Sequence, residues 1–395
     1  MSEIRPMEDG DRDRVALVTA QAFRATKRTA DEVAHLPLDG SWVLSESGSI
    51  QAVARAEPAG SWLGGRVVPA VTIWGVAVSA ESRGRGYGPA LLQEVLRHHG
   101  GFGLTVLFPT VTRPYRACGY ELAGSRVQYR VPIDGLPKTG MRAVEPWQGD
   151  LPNDIRECYT RFAAVNAGLL DRTERHWRRV LHDESLITFG YRVREGRETT
   201  GYVLFTQRAE AGPPSKWAPG DVEYNHVLAC RDLVWLGDEA LRALLALLAS
   251  DRALGRAVHW VGPPNDPLLS CMPAGSPSIS QSTPWMARIL DVGVALSQRG
   301  FPEDLTASLT IRVHDPIGRK QSWRIEVVHG KGDAEPTTAE ADAEIDVGAM
   351  TALFTGFWSP EDAVRAGRLT GVSGSDIHRL GTLFRGPQPW MIDLF

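Results

Sequence analysis

The sequence predicts a mixed chain of α/β and α+β parts in three successive domains, and three observations carry that reading. The segment from Val71 to Leu96 runs an apolar strand, a glycine-rich loop and an amphipathic helix in that order. A second strand-then-helix layout, Ala229 to Trp235 and then Asp238 to Ser250, repeats the order without the glycines. Beyond residue 288 the pattern changes to period two: Leu305, Ala307, Leu309, Ile311 and Val313 share one face of a strand, and Thr306, Ser308, Thr310 and Arg312 the other.

In the first part, residues 1–135, Glu3 to Met7 reads as a short strand. Asp11 then precedes a helix whose Val15, Val18, Ala22 and Phe23 fall on one face. Trp42-Val43-Leu44 and Ile50 to Ala54 flank Glu46-Ser47-Gly48-Ser49 as a hairpin. The strand Val71 to Val78 leads into Arg83-Gly84-Arg85-Gly86-Tyr87-Gly88, and Pro89 is expected at the first position of a helix carrying Leu91, Leu92, Val95 and Leu96. Leu104 to Phe108 and Val127 to Val131 are further strands, with Tyr115-Arg116-Ala117-Cys118-Gly119-Tyr120 as a turn between them.

The glycine loop carries the chemistry. Glycines at 84, 86 and 88 let backbone N–H groups turn toward one point, and the positive end of the following helix faces the same point, so a pyrophosphate fits there. A P-loop would need Gly-Lys-Ser/Thr, which occurs nowhere in the chain. A dinucleotide fold would need an acid about 20 residues on, yet no Asp or Glu lies between Glu94 and Glu121. The remaining pattern, Arg83-x-x-Gly86-x-Gly88 after a strand, resembles the acetyl-CoA loop of the GNAT N-acyltransferases. Tyr115 to Tyr120 resembles the aromatic turn near the end of GNAT domains.

Composition is that of an ordinary globular protein, with 43% hydrophobic and 23% charged residues. A net charge of −4 argues against general nucleic-acid binding. The four cysteines, Cys118, Cys158, Cys230 and Cys271, form no C-x-x-C pair, so no zinc site or disulfide framework is expected, and a reducing cytoplasm fits. His98-His99 reads as a helix end and not as part of a metal site. The start of the chain lacks signal-peptide character, and its most leucine-rich stretch, Leu241 to Leu248, contains Arg242, so no membrane association is expected.

A linker is expected at Gly135 to Gly140. The second part, 141–287, opens with a helical pattern from Asp154 to Leu181, and strands follow at Leu186 to Val193 and Gly201 to Phe205. Its strand-to-helix turn, Leu236-Gly237-Asp238-Glu239, has one glycine and two carboxylates and cannot cradle a pyrophosphate, so a second GNAT-like fold here would be a non-binding copy. The third part, 288–395, begins with a short helix from Asp291 to Gln298. Ser359-Pro360-Glu361-Asp362 and Ser373-Gly374-Ser375-Asp376 mark two helix starts as capping boxes. Six acids, Asp333, Glu335, Glu340, Asp342, Glu344 and Asp346, read as a solvated loop and edge strand.

The tail Pro387-Gln388-Pro389-Trp390-Met391-Ile392-Asp393-Leu394-Phe395 is apolar where chain ends are usually polar. It reads either as a last strand of the third part's sheet or as a segment that buries Phe395 near the first part. The whole chain resembles the enhanced-intracellular-survival family of N-acetyltransferases. The matching residues are Val76-Ala77-Val78 with the arginine-glycine loop, Tyr115 to Tyr120, Arg161-Phe162, Asn265 to Leu268, Arg288 to Val292 and Ala349 to Phe354, together with the aromatic terminus.

The resemblance implies an N-terminal GNAT domain, a central GNAT-like domain and a C-terminal sterol-carrier-protein-like domain. It implies Tyr115 as general acid, the carboxylate of Phe395 as general base, and acetyl-CoA as cosubstrate with no metal. Val76, Ala77, Val78, Arg83, Gly84, Arg85, Gly86, Tyr87, Gly88, Pro89, Thr110 and Val111 would hold that cosubstrate. It also implies a small-molecule amine as acceptor (an aminoglycoside, a polyamine or a lysine-like amine) and a homohexamer. The loop has fewer arginines than family members often carry, and Thr110-Val111 replaces a more polar pair. The competing reading is a small-molecule or lipid-binding protein with a degenerate acyltransferase domain.

Overall fold

Turn chemistry sets the first sheet. Ser47 (φ 52°) and Gly48 (φ 79°) both adopt positive φ, as does the pair Gly64 (62°) and Gly65 (82°), and two such residues in a row make the hairpin turn whose twist matches its strands. The computed structural model describes residues 2–23, 37–137, 144–183, 185–210, 225–318 and 320–395. The linker expected at Gly135 to Gly140 falls partly outside them. Two compact units result, one of Met1–Ala123, Pro284–Gly386 and Phe395, the other of Gly124–Thr283 and Pro387–Leu394.

In the first unit, β1 (Ser2–Pro6) is followed by α1 (Arg12–Phe23), β2 (Ser41–Glu46), β3 (Ser49–Leu63) and β4 (Arg66–Val78), then by α2 (Tyr87–His98), β5 (Leu104–Leu107) and α3 (Arg113–Ala117). The strands stand in the order β1-β2-β3-β4-β5, antiparallel until β4 and β5, which run parallel. Met286 to Ile289 add an antiparallel strand beyond β5. The two helices cover opposite faces. α1 packs Val15, Ala16 and Val18 with Val43, Val53 and Ala77, while α2 packs Leu91, Leu92, Val95 and Leu96 with Leu44, Ala52, Ala54, Val71 and Ile73. The β3–β4 hairpin is longer than its sequence pattern predicts, because Gly64-Gly65 turns the chain where no polar cluster marks a turn.

The C-terminal part of this unit has a five-stranded sheet in the order Lys331–Thr337, Gln321–Val328, Thr306–His314, Ala343–Asp346 and Leu369–Thr370. The helix Val347–Thr355 is buried along its whole length. Both expected capping boxes form, Ser359 with Asp362 and Ser373 with Asp376. The tail is no strand of this sheet, so the first of its two readings is corrected.

The second unit has the sheet order Glu121–Pro132, Gly255–Gly262, His226–Trp235, Glu198–Ala209, Thr188–Glu195 and Val144–Trp147. The pair His226–Trp235 and Gly255–Gly262 runs parallel, joined by the helix Asp238–Ala249, and so repeats the β4–α2–β5 arrangement. The continuous helix expected from Asp154 to Leu181 is two helices, Asn153–Ala164 and Glu174–Leu181. Gly168 at φ 90° turns the backbone out of helix between them, and Arg172 is drawn into the core.

Candidate active site

The site begins as a defect in the first sheet. β4 and β5 pair in register only from Ala70–Leu104 to Thr72–Val106, and β4 then continues to Val78 while β5 ends at Leu107. The strands therefore part, and the β4 edge beyond Thr72 leaves the ladder to β5. On its other edge, Trp74 pairs with Arg55 and Ala77 with Val53, so β4 carries one extra residue over that span, a bulge with Gly75 at φ 61°. The bulge bends the strand where the sheet opens. The apolar run identified this strand but gave no sign of the bulge.

At the mouth of the opening lies the glycine loop. Gly84 and Gly86 both have φ 81°, which side chains with a Cβ adopt poorly, and a Cβ built on either meets nothing within 4 Å. That open space is what a bulky anion needs. Gly88 differs, since a Cβ there would sit 3.4 Å from the Val78 side chain. Helix α2 starts at Tyr87 with Gly86 as its cap, two residues before the expected start at Pro89. Pro89 therefore lies inside the first turn, where its missing N–H costs no helical bond. No carboxylate lies in that turn to compete for its donors.

A cleft of about 410 Å³ follows from these elements. Val76, Val78, Arg83, Gly84, Gly86, Gly88, Pro89, Thr110, Val111 and Tyr115 line it, with Leu92, expected only on the apolar face of its helix, and Pro114, which the sequence pattern did not single out. Three residues expected beside them lie elsewhere. Ala77 is buried in the α1 core, Arg85 reaches Glu46 at 3.6 Å, and Tyr87 packs on the α2 side of the core. Alternation along β4 separates Ala77 from its neighbours.

Tyr115 sits in the short helix α3, which Pro114 helps to start. Its side chain is 9% exposed, and burial, with a smaller contribution from Cys118, raises the phenol above its ordinary pKa, so it stays protonated at neutral pH. Its ring meets Tyr120 edge-on at 6.0 Å, and its carbonyl accepts from the N–H groups of Cys118 and Tyr120. Gly119 at φ 82° is required by a neighbour: a Cβ there would lie 2.0 Å from Nη1 of Arg288, which donates to the Cys118 carbonyl at 2.7 Å. Arg288 also holds Asp315 at 2.6 Å. The aromatic turn is thus anchored from the C-terminal part of its own unit.

Phe395 does not line the cleft. Its ring packs on Phe108 with centroids 5.4 Å apart, at the end of β5 and two residues before Thr110. Among the described residues no group of three or more His, Cys, Asp or Glu is placed to hold a metal ion. No helix among them is long and apolar enough to cross a membrane.

A parted sheet with a glycine loop at its mouth defines an acyltransferase of the GNAT class, and the comparisons agree. Residues 3–123 and 168–289 each match an acetyltransferase (GNAT) domain, and residues 292–392 match a sterol carrier protein domain. The chain thus carries two GNAT acetyltransferase domains followed by a C-terminal sterol carrier protein domain, the domain content that the resemblance to the enhanced-intracellular-survival family implies. Among solved structures, a GCN5-related N-acetyltransferase from Kribbella flavida is 27% identical, with a TM-score of 0.84 over 100% of this chain and 98% of that one. One from Anabaena variabilis has a TM-score of 0.91 at 24% identity, and Eis1 from Mycobacterium abscessus 0.81 at 23%, each over 100% of both chains. No match to a curated protein reached significance.

Proposed function

We propose that the protein transfers the acetyl group of acetyl-CoA directly to the amine of a small molecule. The acceptor class is an aminoglycoside, a polyamine or a lysine-like amine. The observation that carries this reading is the joining of the parted β4, the open Gly84–Gly86 loop and buried Tyr115 in one cleft. The loop N–H groups and Arg83 receive the pyrophosphate, and the β4 edge at Val76 to Val78 offers N–H donors to the thioester oxygen. The working domain limits are 1–135, 141–287 and 288–395.

The steps balance with two proton carriers. The amine nitrogen forms a bond to the thioester carbon, whose oxygen takes the negative charge against the β4 donors. The carboxylate of Phe395 takes a proton from the attacking nitrogen, which is far more acidic after attack than before. Collapse restores the carbonyl and breaks the carbon–sulfur bond, and Tyr115 gives its proton to the departing thiolate. The raised pKa of Tyr115 keeps that proton in place until it is needed. Proton exchange with water then resets both groups.

A thiol-release assay with acetyl-CoA and propionyl-CoA over a panel of amines tests the reading. Amine-dependent thiol release with an N-acetylated product is expected. Tight binding of apolar ligands with no thiol release from any amine would favour the binding-protein alternative.

A further inference from the structure

The helix that carries Tyr115 is too short to hold it in place alone. Helix α3 has five residues, and a helix of that length has too few internal bonds to be rigid without outside contacts. The carbonyl of Tyr115 is instead tied forward, accepting from the N–H of Cys118 at 2.9 Å and from that of Tyr120 at 3.1 Å. The position of the phenol is therefore set by whatever fixes the segment from Cys118 to Tyr120.

Two adjacent strands fix it from one side. Arg288 and Thr105 stand directly opposite each other in the antiparallel pair that β5 makes with Met286 to Ile289, so their side chains leave the same face. Thr105 donates Oγ1 to the hydroxyl of Tyr120 at 2.7 Å, and Arg288 donates Nη1 to the Cys118 carbonyl at 2.7 Å. Nη2 of Arg288 donates to Asp315 at 2.6 Å, and the other carboxylate oxygen of Asp315 accepts from the N–H of Ile317 at 3.1 Å. Asp315 lies in the turn after the strand Thr306–His314, within the sterol carrier domain. Arg288 is buried, and its Nε has no hydrogen-bond partner among the described residues. An idle buried donor is destabilising, and an apolar side chain would fill the space without it, so the two engaged nitrogens serve geometry and not packing.

We propose that Arg288, held by Asp315, is a positioning residue for acyl transfer: it fixes the Cys118 carbonyl and, through the tied turn, the Tyr115 hydroxyl that protonates the departing thiolate. The sterol carrier domain thereby takes part in the reaction as a brace for the acid. Arg288 does not line the cleft, so it acts only through Tyr115. A proton donor must stay within hydrogen-bond reach of its acceptor, and a displacement of about 1 Å can cost about 10²-fold in rate. The inference rests on the reading of Tyr115 as general acid and adds what holds it.

Steady-state kinetics of Arg288→Gln, Tyr115→Phe and the double variant test it. Arg288→Gln should lower kcat about ten- to a hundredfold and leave KM for acetyl-CoA within about twofold, because the residue touches no cosubstrate. The double variant should be no slower than Tyr115→Phe, since a brace has nothing left to place once the proton is gone. Arg288→Lys keeps one donor for the Cys118 carbonyl and should recover part of the lost turnover. Asp315→Asn leaves Arg288 in place with an uncharged partner and should show a smaller fall in kcat, again absent in the Tyr115→Phe background; it decides the matter if circular dichroism shows Arg288→Gln to be unfolded. Losses that multiply in the double variant, a raised KM at unchanged kcat, or an unchanged kcat in Arg288→Gln would overturn the proposal. Full activity of Tyr115→Phe, seen with Arg288 intact, would instead overturn the acid assignment itself, and this role of Arg288 with it.

Discussion

At the scale of single residues the site divides into groups that act through a side chain and groups that act by lacking one. Tyr115→Phe keeps the ring that packs on Tyr120 and removes only the proton, so folding and acetyl-CoA binding should persist while turnover falls about 10²–10³-fold. Because burial raises the phenol's pKa, the wild-type acid keeps its proton across pH 7–9, and the deficit should be flat over that range. A steady-state pH series on both proteins checks this, and equal activity would return Tyr115 to a purely packing role. Gly86→Asp acts differently. It forces a side chain onto φ 81° and puts a negative charge in the open space of the loop, so acetyl-CoA affinity should fall by about 2–4 kcal/mol in calorimetric titration. The glycine spacing made this loop legible in the sequence. The role of Gly119 was legible only as a pattern, because the reason for it, Arg288, lies far away along the chain.

At the scale of elements, the strand–loop–helix was readable because its signals are local, whereas the bulge at Gly75 and the parting of β4 from β5 depend on which strands become neighbours. The same holds in the central unit, where Arg172 sits inside an apparently helical pattern. It is fully buried, with Nη1 and Nη2 on Asp232 at 2.5 and 2.9 Å and Nε on Asp393 at 2.9 Å, under the rings of Tyr159 and Trp177. Burial pushes the Asp393 carboxyl up, and Arg172 works against that shift. Arg172→Met therefore strands two carboxylates and should cost about 3–5 kcal/mol in chemical denaturation. Without the cation the Asp393 carboxyl rises further, so its protonation at lower pH relieves the cost and the deficit should shrink as pH falls. A deficit that grows on acidification would mean that the clamp is not what the variant loses. The tail that Arg172 grips ends at Phe395, and a short flexible extension after it turns the proposed base into an amide. Turnover should drop at least ~10²-fold with the fold intact, as loss of a general base implies. A fully active extended enzyme would move the base to a side chain.

At the scale of the whole molecule, the twelve tryptophans of the chain are no argument for assembly, because Trp42, Trp147, Trp177, Trp260, Trp285 and Trp390 are each buried within the chain's own units. Apolar side chains left in the open are a better guide. Val165 and Ile187 are each 72% exposed, the most of any large apolar side chain among the described residues, and Val111, Ile279 and Leu394 are each 60% exposed. Isolated exposed residues are common and carry little weight alone. The homohexamer implied by the resemblance nevertheless gives them a role that a monomer would not. Light scattering at micromolar concentration should then give about six times the chain mass of 43.2 kDa, and Val165→Glu with Ile187→Glu should lower that mass without changing the circular dichroism, because buried unpaired carboxylates oppose association. A monomeric mass for the wild-type protein would end the hexamer. A hexamer indifferent to both substitutions would place its interfaces on other surfaces.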